Sequence, residues 1–593
     1  MMKQYRNIQR ALLKTIRRMK QRRLILVLSL VIGLLSGIAA IILKNLAHFV
    51  EHRSKEMLLA EDSSGLGFLM PVLGIFLTML FVKYLLKQDI GHGVSKILFA
   101  ISKRKGHLKP HNTWSSMAAS SLTVGLGGSV GLEAPIVLTG SSIGSNIGHL
   151  LRLNYKTIVL LIGCGAAGAI AGIFKAPIAA LIFAFEVLML DLTAFSIVPL
   201  LIASVTAATV SYFFLGEQVV FSFTISEPFV MSNIPFYILL GLFTGLVSIY
   251  FTRMNMWVEH SMGHIRNTFV RTLTGGLLVS GLIFLMPHLF GEGYVTLKTL
   301  LTGQSDALFN GTLFENLIGE NGLLIILFFL MLVIFKVIAM ALTTGSGGVG
   351  GVFAPALFVG AMSGVTIAKA VNFFKSTGIS ENNFALVGMA GVMAGVMHAP
   401  LTAIFLIAEI TGGYTLFIPL IITATIAYVT MRSFEGQSIY TKRLAERDEL
   451  ITHHKDKAVL SMLTVEEVLE NDCERVPVDG KLRDLVHAVS KSKRNIFPVV
   501  NEEQELIGVI SLNDVRDIIF NTELYDKVEI TEIMQIPPAI IRKDENMKKV
   551  LEVFEETEAW NLPVTEDDRY IGFISRSKIF NSYRNLLKEF SDD

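Results

Sequence analysis

The sequence predicts an all-α protein that crosses a membrane many times, built from an internal repeat and followed by a small α/β tail. Three observations carry that expectation: the hydropathy, the division of charge along the chain, and a repeat spaced at about 220 residues. Of 593 residues 52% are hydrophobic and only 17% charged, with a mean hydropathy of +0.55, which is too apolar for a chain whose whole surface meets water. Residues 461–593 hold 28 acidic and 17 basic side chains, about a third of that segment, whereas charged residues make up about an eighth of residues 1–460. The total of +2 therefore hides a basic membrane part and an acidic tail, and no nucleic-acid partner is expected. Cys164 and Cys473 fall in different regions, so no disulfide framework or thiolate metal cluster is expected within one chain.

Taken in order, the first 23 residues carry nine Lys or Arg and no acid, which reads as a cytoplasmic start. The apolar stretch at 24–46 is longer than a signal-peptide core and lacks a small-residue cleavage site, so it reads as a spanning helix. Further apolar segments lie near 68–86, 157–173, 177–190, 197–215, 234–252, 273–289, 323–342, 355–374, 384–397, 400–410 and 416–431. Several fall short of the roughly 20 residues a bilayer core requires. Interrupted by Gly and Pro, they look like broken helices whose backbone is satisfied by protein or an aqueous cavity.

Shifting the chain by 220 residues places Gly-Leu-Glu-Ala-Pro at 131–135 on Gly-Val-Phe-Ala-Pro at 351–355, with Gly125, Gly127, Gly128, Gly140 and Gly144 on Gly345, Gly347, Gly348, Gly360 and Gly364. At an offset of 223, Gly165, Gly168, Gly172, Ala176, Pro177 and Glu186 fall on Gly388, Gly391, Gly395, Ala399, Pro400 and Glu409. Two Ala-Pro matches and a Glu match in register mark a duplication, with repeats at about 24–220 and 232–443. Transporters built this way hold their substrate where the halves meet. Residues 444–460 form a charged connector, and the tail is also doubled: Phe-Pro-Val-Val at 497–500 recurs as Leu-Pro-Val-Thr at 562–565. Short β-branched strands alternate there with amphipathic helical stretches, which predicts two small α/β modules at 461–525 and 526–593.

The Gly-rich stretches ending in Pro predict helix starts near Ala134 and Ala354. Gly131, Pro135, Gly351 and Pro355 frame them. Such starts present unpaired N–H groups and a partial positive charge, so two of them aimed at one buried point form an anion site that needs no Lys or Arg. Glu133 sits at one start, and a carboxylate in a membrane segment is a functional candidate. When ionised it occupies the N–H cradle itself; when protonated or displaced it leaves, which is a gate. Glu186 and Glu409, nine residues after each Ala-Pro, are expected to share a structural role.

These residues resemble the CLC chloride channels and chloride/proton antiporters. GGSVGLEAP at 127–135 is similar to that family's G(K/R)EGP signature, GGVFAP at 350–355 to its GxFxP signature, and GQSIY at 436–440 to the segment with its pore tyrosine. The tail resembles a pair of CBS domains. The resemblance implies an inverted-repeat homodimer in the cell membrane with one pore per subunit and with its N-terminus and CBS pair cytoplasmic. It implies chloride or a similar small anion as cargo, Glu133 as gate, and Val352, Phe353 and Tyr440 around the central anion; no cofactor is required. Where the family usually has GSGIP, this chain has Gly-His-Gly-Val-Ser at 91–95, which puts His92, followed by Gly93, in the place of the anion-touching serine, with Ser95 the only nearby hydroxyl. Many antiporter members carry two adjacent glutamates where this chain has Glu186-Val187, and valine passes no proton. That departure resembles the channel branch, so passive conduction is expected ahead of antiport. Ser511 and Asp514 match the Ser/Thr-x-x-Asp pattern that contacts a nucleotide ribose in CBS pairs, an expected adenine-nucleotide site.

Two other classes combine apolar helices with CBS modules. An intramembrane metalloprotease needs an HExxH helix, which is lacking; His260 and His264 beside Glu259 lie in a polar stretch and read as a solvated helix end. A magnesium channel needs carboxylates grouped around a hard cation, but Glu133, Glu186 and Glu409 are spread over separate segments.

Overall fold

The computed structural model describes residues 20–60, 67–88, 90, 93–190, 193–216, 229–309, 312, 321–375, 378–445 and 463–591. Gln21–Ala60 is one helix, α1, whose apolar run at 24–43 continues into a polar final stretch. At 1.5 Å per residue it is about 60 Å long, well beyond the span that hydropathy marks at 24–46. The first half continues with α2 (Met70–Leu80) and one π turn (Phe81–Leu86), α3 (Gly93–Lys103), α4 (Ser115–Gly125), α5 (Glu133–Leu150), α6 (Tyr155–Phe174), α7 (Pro177–Glu186) and α8 (Ala194–Leu215). The second half contains α9 (Ile234–Gly263), α10 (Thr268–Leu285), α11 (Tyr294–Leu301), α12 (Gly322–Gly345), α13 (Phe353–Lys375), α14 (Glu381–Met397), α15 (Pro400–Ile410), α16 (Phe417–Phe434) and α17 (Ile439–Ala445). Among the described residues eight helical segments are long and apolar enough to cross a membrane, while α7 and α15 are shorter. Helix α17 carries past the expected edge of the membrane part at 443, and most of the expected connector lies outside the described residues.

The repeat seen in the sequence is a repeat in space. Gly140 of α5 packs on Gly165 of α6, and Gly360 of α13 on Gly388 of α14; one turn on, Gly144 and Gly364 abut the carbonyls of Leu161 and Phe384. Lys175 and His398, also equivalent, end α6 and α14 in the left-handed conformation, with φ of 58° and 55°. A twofold relation follows from two reciprocal contacts. Gly131 N–H donates to the Gly351 carbonyl at 2.9 Å and Gly351 N–H to the Gly131 carbonyl at 2.7 Å, an antiparallel bridge between equivalent residues. The Glu186 carboxylate at the end of α7 accepts from Leu401 and Thr402 at the start of α15, and Glu409 at the end of α15 accepts from Ile178 and Ala179 at the start of α7. Helices α7 and α15 are thus antiparallel and the axis is perpendicular to them. For helices that cross a membrane the axis lies in its plane, and the halves are inverted.

The chain divides into two compact units, Met1–Leu450 and Ile451–Asp593. In the second, α18 (Val465–Val468), β1 (Val476–Pro477), α19 (Leu482–Lys491), β2 (Ile496–Val500) and β3 (Leu506–Ser511) are followed by α20 (Ile530–Ile533), β4 (Ile541–Arg542), α21 (Met547–Thr557), β5 (Asn561–Glu566), β6 (Arg569–Ser575) and α22 (Arg576–Ser591). Each sheet has its first strand parallel and its third antiparallel to the middle one. The two modules exchange short leading segments. Leu463, Val465 and Val468 belong to the core of the second module, with Ile541, Val550 and Ile574, while Ile530 belongs to that of the first, with Val476, Phe497 and Ile510. Backbone bridges fix this exchange: Glu470 pairs with Phe573 of β6 and Gln535 with Val509 of β3. Local periodicity carries no sign of a swap made by such short leading segments.

A side chain at Gly144 or Gly364 would run into a neighbouring backbone carbonyl, not a side chain that can turn away. Gly144→Val and Gly364→Val should each prevent recovery of monodisperse protein in detergent by size-exclusion chromatography, whereas Gly436→Val, in open space, should not.

Candidate anion-binding site

The Gly131–Gly351 bridge sets the starts of α5 and α13 side by side. Leu132 and Val352 follow the bridge, and Glu133 and Phe353 are the first helical residues. Equivalent hydrogen bonds open the two helices: Ile136 N–H to the Leu132 carbonyl at 3.1 Å and Ala356 N–H to the Val352 carbonyl at 2.9 Å. Pro135 and Pro355 have no N–H to satisfy, so each helix start retains a few donors aimed at the junction. Into it folds the Glu133 side chain, only 1% exposed. Its carboxylate faces the N–H groups of Glu133 and Ala354, one from each helix start, and a Cβ at Gly131 would collide with it. Oε1 accepts from the Tyr294 hydroxyl at 2.6 Å, while Oε2 is buried without a hydrogen-bond partner among the described residues. The junction therefore holds one negative group where two positive helix ends converge.

The other expected residues are placed as follows. Phe353 is buried and stacks on Phe174 with centroids 5.2 Å apart. Tyr440, 4% exposed, is the second residue of α17 and lies within electrostatic reach of Glu133; its carbonyl accepts from the Ser95 hydroxyl at 3.0 Å. Gly93 starts α3 directly against the Ala134 carbonyl. His92 lies outside the described residues. A cavity of about 1230 Å³ reaches Ser95 and 347–350 and is lined by Lys83, Lys87, Lys96, Arg104, Lys109 and Arg271. Among the described residues its one acid, Glu259, is engaged by Arg443 at 2.5 Å and by the Thr344 hydroxyl at 3.0 Å. Such a basic vestibule raises the local concentration of anions next to the junction. His260 and His264 end α9 at its rim, with rings 4.6 Å apart.

Three charged or polar groups escaped the sequence reading. Glu292, in Gly-Glu-Gly-Tyr at 291–294, accepts from the Leu132 N–H at 3.1 Å, which puts a second acid beside Glu133. Tyr294 is the second group. The third, Lys336, is fully buried in α12 and donates to the carbonyls of Leu289 at 3.2 Å and Gly291 at 2.8 Å, beneath the Phe358 ring. A lone lysine in an otherwise apolar 24-residue helix was a legible signal.

In the tail, Ser511 closes β3 and is half-buried, its hydroxyl accepting from the Asn513 N–H at 3.3 Å; Asp514 is exposed. The equivalent Ser575 accepts from the Lys578 N–H at 3.1 Å.

Inverted halves, converging helix starts and a basic approach define a membrane protein that handles small anions. The chain belongs to the voltage gated chloride channel family, the CLC family, which matches residues 73–432, and it carries CBS domains at 465–521 and 530–585. It is 28% identical over 440 residues, 71% of this chain and 89% of the relative, to the H(+)/Cl(-) exchange transporter ClcA of Vibrio cholerae. Against the chloride channel protein CLC-f of Arabidopsis thaliana it is 27% identical over 455 residues, 68% of this chain and 56% of the relative. Its fold resembles that of a slow cyanobacterial Cl-/H+ antiporter with a TM-score of 0.59 and 22% identity, over 73% of this chain and 99% of the other. The protein is a multi-pass CLC anion transporter, not an enzyme.

Glu186 holds three donors, the N–H groups of Leu401 and Thr402 at 3.0 and 2.7 Å and the Thr402 hydroxyl at 2.7 Å. Each buried donor stranded costs about 1–3 kcal/mol, so Glu186→Ala should lower the thermal midpoint of purified protein while chloride flux per folded molecule stays within about twofold.

Proposed function

We propose that this chain conducts chloride or a similar small anion passively across the cell membrane, through a pore gated by Glu133. The observation that carries this reading is a fully buried carboxylate seated where two repeat-related helix starts converge. An ionised carboxylate and a permeant anion satisfy the same donors, so either can occupy the junction and they compete for it. Val352, Phe353, Tyr440, Gly93 and His92 complete the anion path, with the His92 imidazole standing in for a hydroxyl donor and bringing its own pH dependence. Passive conduction is supported by the end of α7: Glu186 is engaged as a helix cap and Val187, 3% exposed, has no group that takes up a proton.

A second reading, chloride/proton exchange, is favoured by the names of the Vibrio cholerae relative and the cyanobacterial structure. It needs a proton path that bypasses Val187. A magnesium channel is disfavoured because Glu186 and Glu409 are spent on backbone N–H groups. The proposal includes a homodimer of two pores in the lipid bilayer, a cytoplasmic N-terminus and CBS pair, and an adenine nucleotide at Ser511 and Asp514.

Chloride efflux from proteoliposomes, with external pH recorded simultaneously, tests the main reading. Chloride movement without uphill proton movement is expected; protons driven uphill by the chloride gradient would establish exchange instead. Glu133→Gln should leave anion flux high and remove most of its rise on acidification, leaving only the part that His92 supplies. In the tail, Asp514→Ala should weaken ATP binding to the full chain by at least tenfold in calorimetry, and equal binding by the variant would remove Asp514 from the site.

A further inference from the structure

Glu133 is held from outside its own helix. The Tyr294 hydroxyl, 2.6 Å from Oε1, is the side-chain donor on this carboxylate among the described residues, and it comes from the opposite half of the repeat. The segment that presents it is anchored at every step. Lys336 binds the carbonyls of Leu289 and Gly291. The Ser129 hydroxyl donates to the Leu289 carbonyl at 2.7 Å, the Gly291 N–H to the Gly127 carbonyl at 3.2 Å, and the Leu132 N–H to Glu292 at 3.1 Å. Positive φ values of 58° at Gly291 and 87° at Gly293 let the chain turn sharply on both sides of Glu292 and begin α11 at Tyr294. The segment 289–294 is therefore bonded throughout to 127–132, the run that leads into the gate, and its last residue reaches past that run to the gate itself.

We propose that residues 291–294 form a latch on the gate, with Tyr294 as the positioning residue whose hydroxyl keeps the Glu133 carboxylate seated between the two helix starts. This rests on the reading of Glu133 as the gate. A donor to a carboxylate favours its ionised form, and the ionised form is the one the helix starts retain. Breaking the hydrogen bond therefore frees the gate at a lower proton concentration. The groups facing Glu133 are Tyr294 and Glu292 from this segment and Tyr440 from α17; Lys336 of α12 and Lys44 of α1 face Glu292 in turn. Glu292 and the two lysines act on the carboxylate as fixed surroundings, whereas Tyr294 bonds to it directly and is replaceable by a ring of the same shape.

The test is chloride flux against pH for full-length protein in proteoliposomes. Tyr294→Phe should raise flux at neutral pH several-fold and move the pH of half-maximal flux upward by about one unit, a tenfold change in proton concentration. In a Glu133→Gln background the same substitution should do nothing, because the partner carboxylate is gone. Tyr294→His, a smaller ring that still carries a donor, should remain closer to wild type than Tyr294→Phe. A Tyr294→Phe profile superimposable on wild type would overturn the latch while leaving the gate intact. An equal effect in the Glu133→Gln background, or a His variant more open than the Phe one, would assign Tyr294 to packing and overturn it too. Should Glu133→Gln itself leave flux and pH profile unchanged, the gate reading fails and the latch falls with it.

Discussion

Two helix N-termini that face each other across the Gly131–Gly351 bridge bring like partial charges together in a low-dielectric interior, and much of the membrane domain answers that one constraint. Each end carries roughly half a positive charge, and neither can turn away: α5 is locked to α6 by Gly140 and Gly165, and α13 to α14 by Gly360 and Gly388. Side chains at those four glycines would spread the helices and let the ends separate. Held as they are, the ends require a negative partner. Burying a carboxylate there is costly on its own, and its cost is offset by the same N–H groups that would otherwise be left unpaired.

Elsewhere in the domain the same problem has a permanent solution. The starts of α7 and α15 are closed by Glu409 and Glu186, each carboxylate holding two backbone N–H groups of the partner helix. Both halves contribute one acid, and the arrangement is complete without anything from outside. At the starts of α5 and α13 the Glu133 carboxylate has no equivalent in the other half, whose Glu292 takes only the Leu132 N–H, and among the described residues one Glu133 oxygen has no hydrogen-bond partner. The first pair of helix ends is saturated and structural; the second is undersupplied, and an anion that approaches from the basic vestibule meets donors it can share.

Sequence periodicity made the repeat, the helix starts and Glu133 legible because each leaves a local mark: glycines in register, Pro inside the first turn, an acid in an apolar run. Helices α4 and α5 are hidden from hydropathy, since their Ser, Thr and Gly residues face protein and not lipid. The reciprocal caps could be expected to share a role, but which donors they bind depends on the fold bringing residues 186 and 401 together. Tyr294 and Glu292 were missed for the same reason: they lie about 160 residues from the gate, and nothing local distinguishes them from a turn before a helix. The exchanged leading segments of the CBS modules were likewise invisible, because either module supplies an equally apolar core for a short helix.

The repeat is most informative where it breaks. At the offset of 220, Glu133 corresponds to Phe353. A carboxylate at both positions would place two like charges at one junction, where they repel and one of them is forced to remain protonated. With a carboxylate at this position in one half only, the proposed gate is single and lies on the side of α5, while the equivalent position is filled by Phe353 stacked on Phe174. The half that lacks the acid is not idle. It supplies Tyr294, Glu292 and Lys336, the groups that hold the acid or anchor the segment that does. The symmetric cradle belongs to both halves, and their divergence put the buried carboxylate in one and the hydroxyl that bonds it in the other, so that each half completes an arrangement the other cannot form alone.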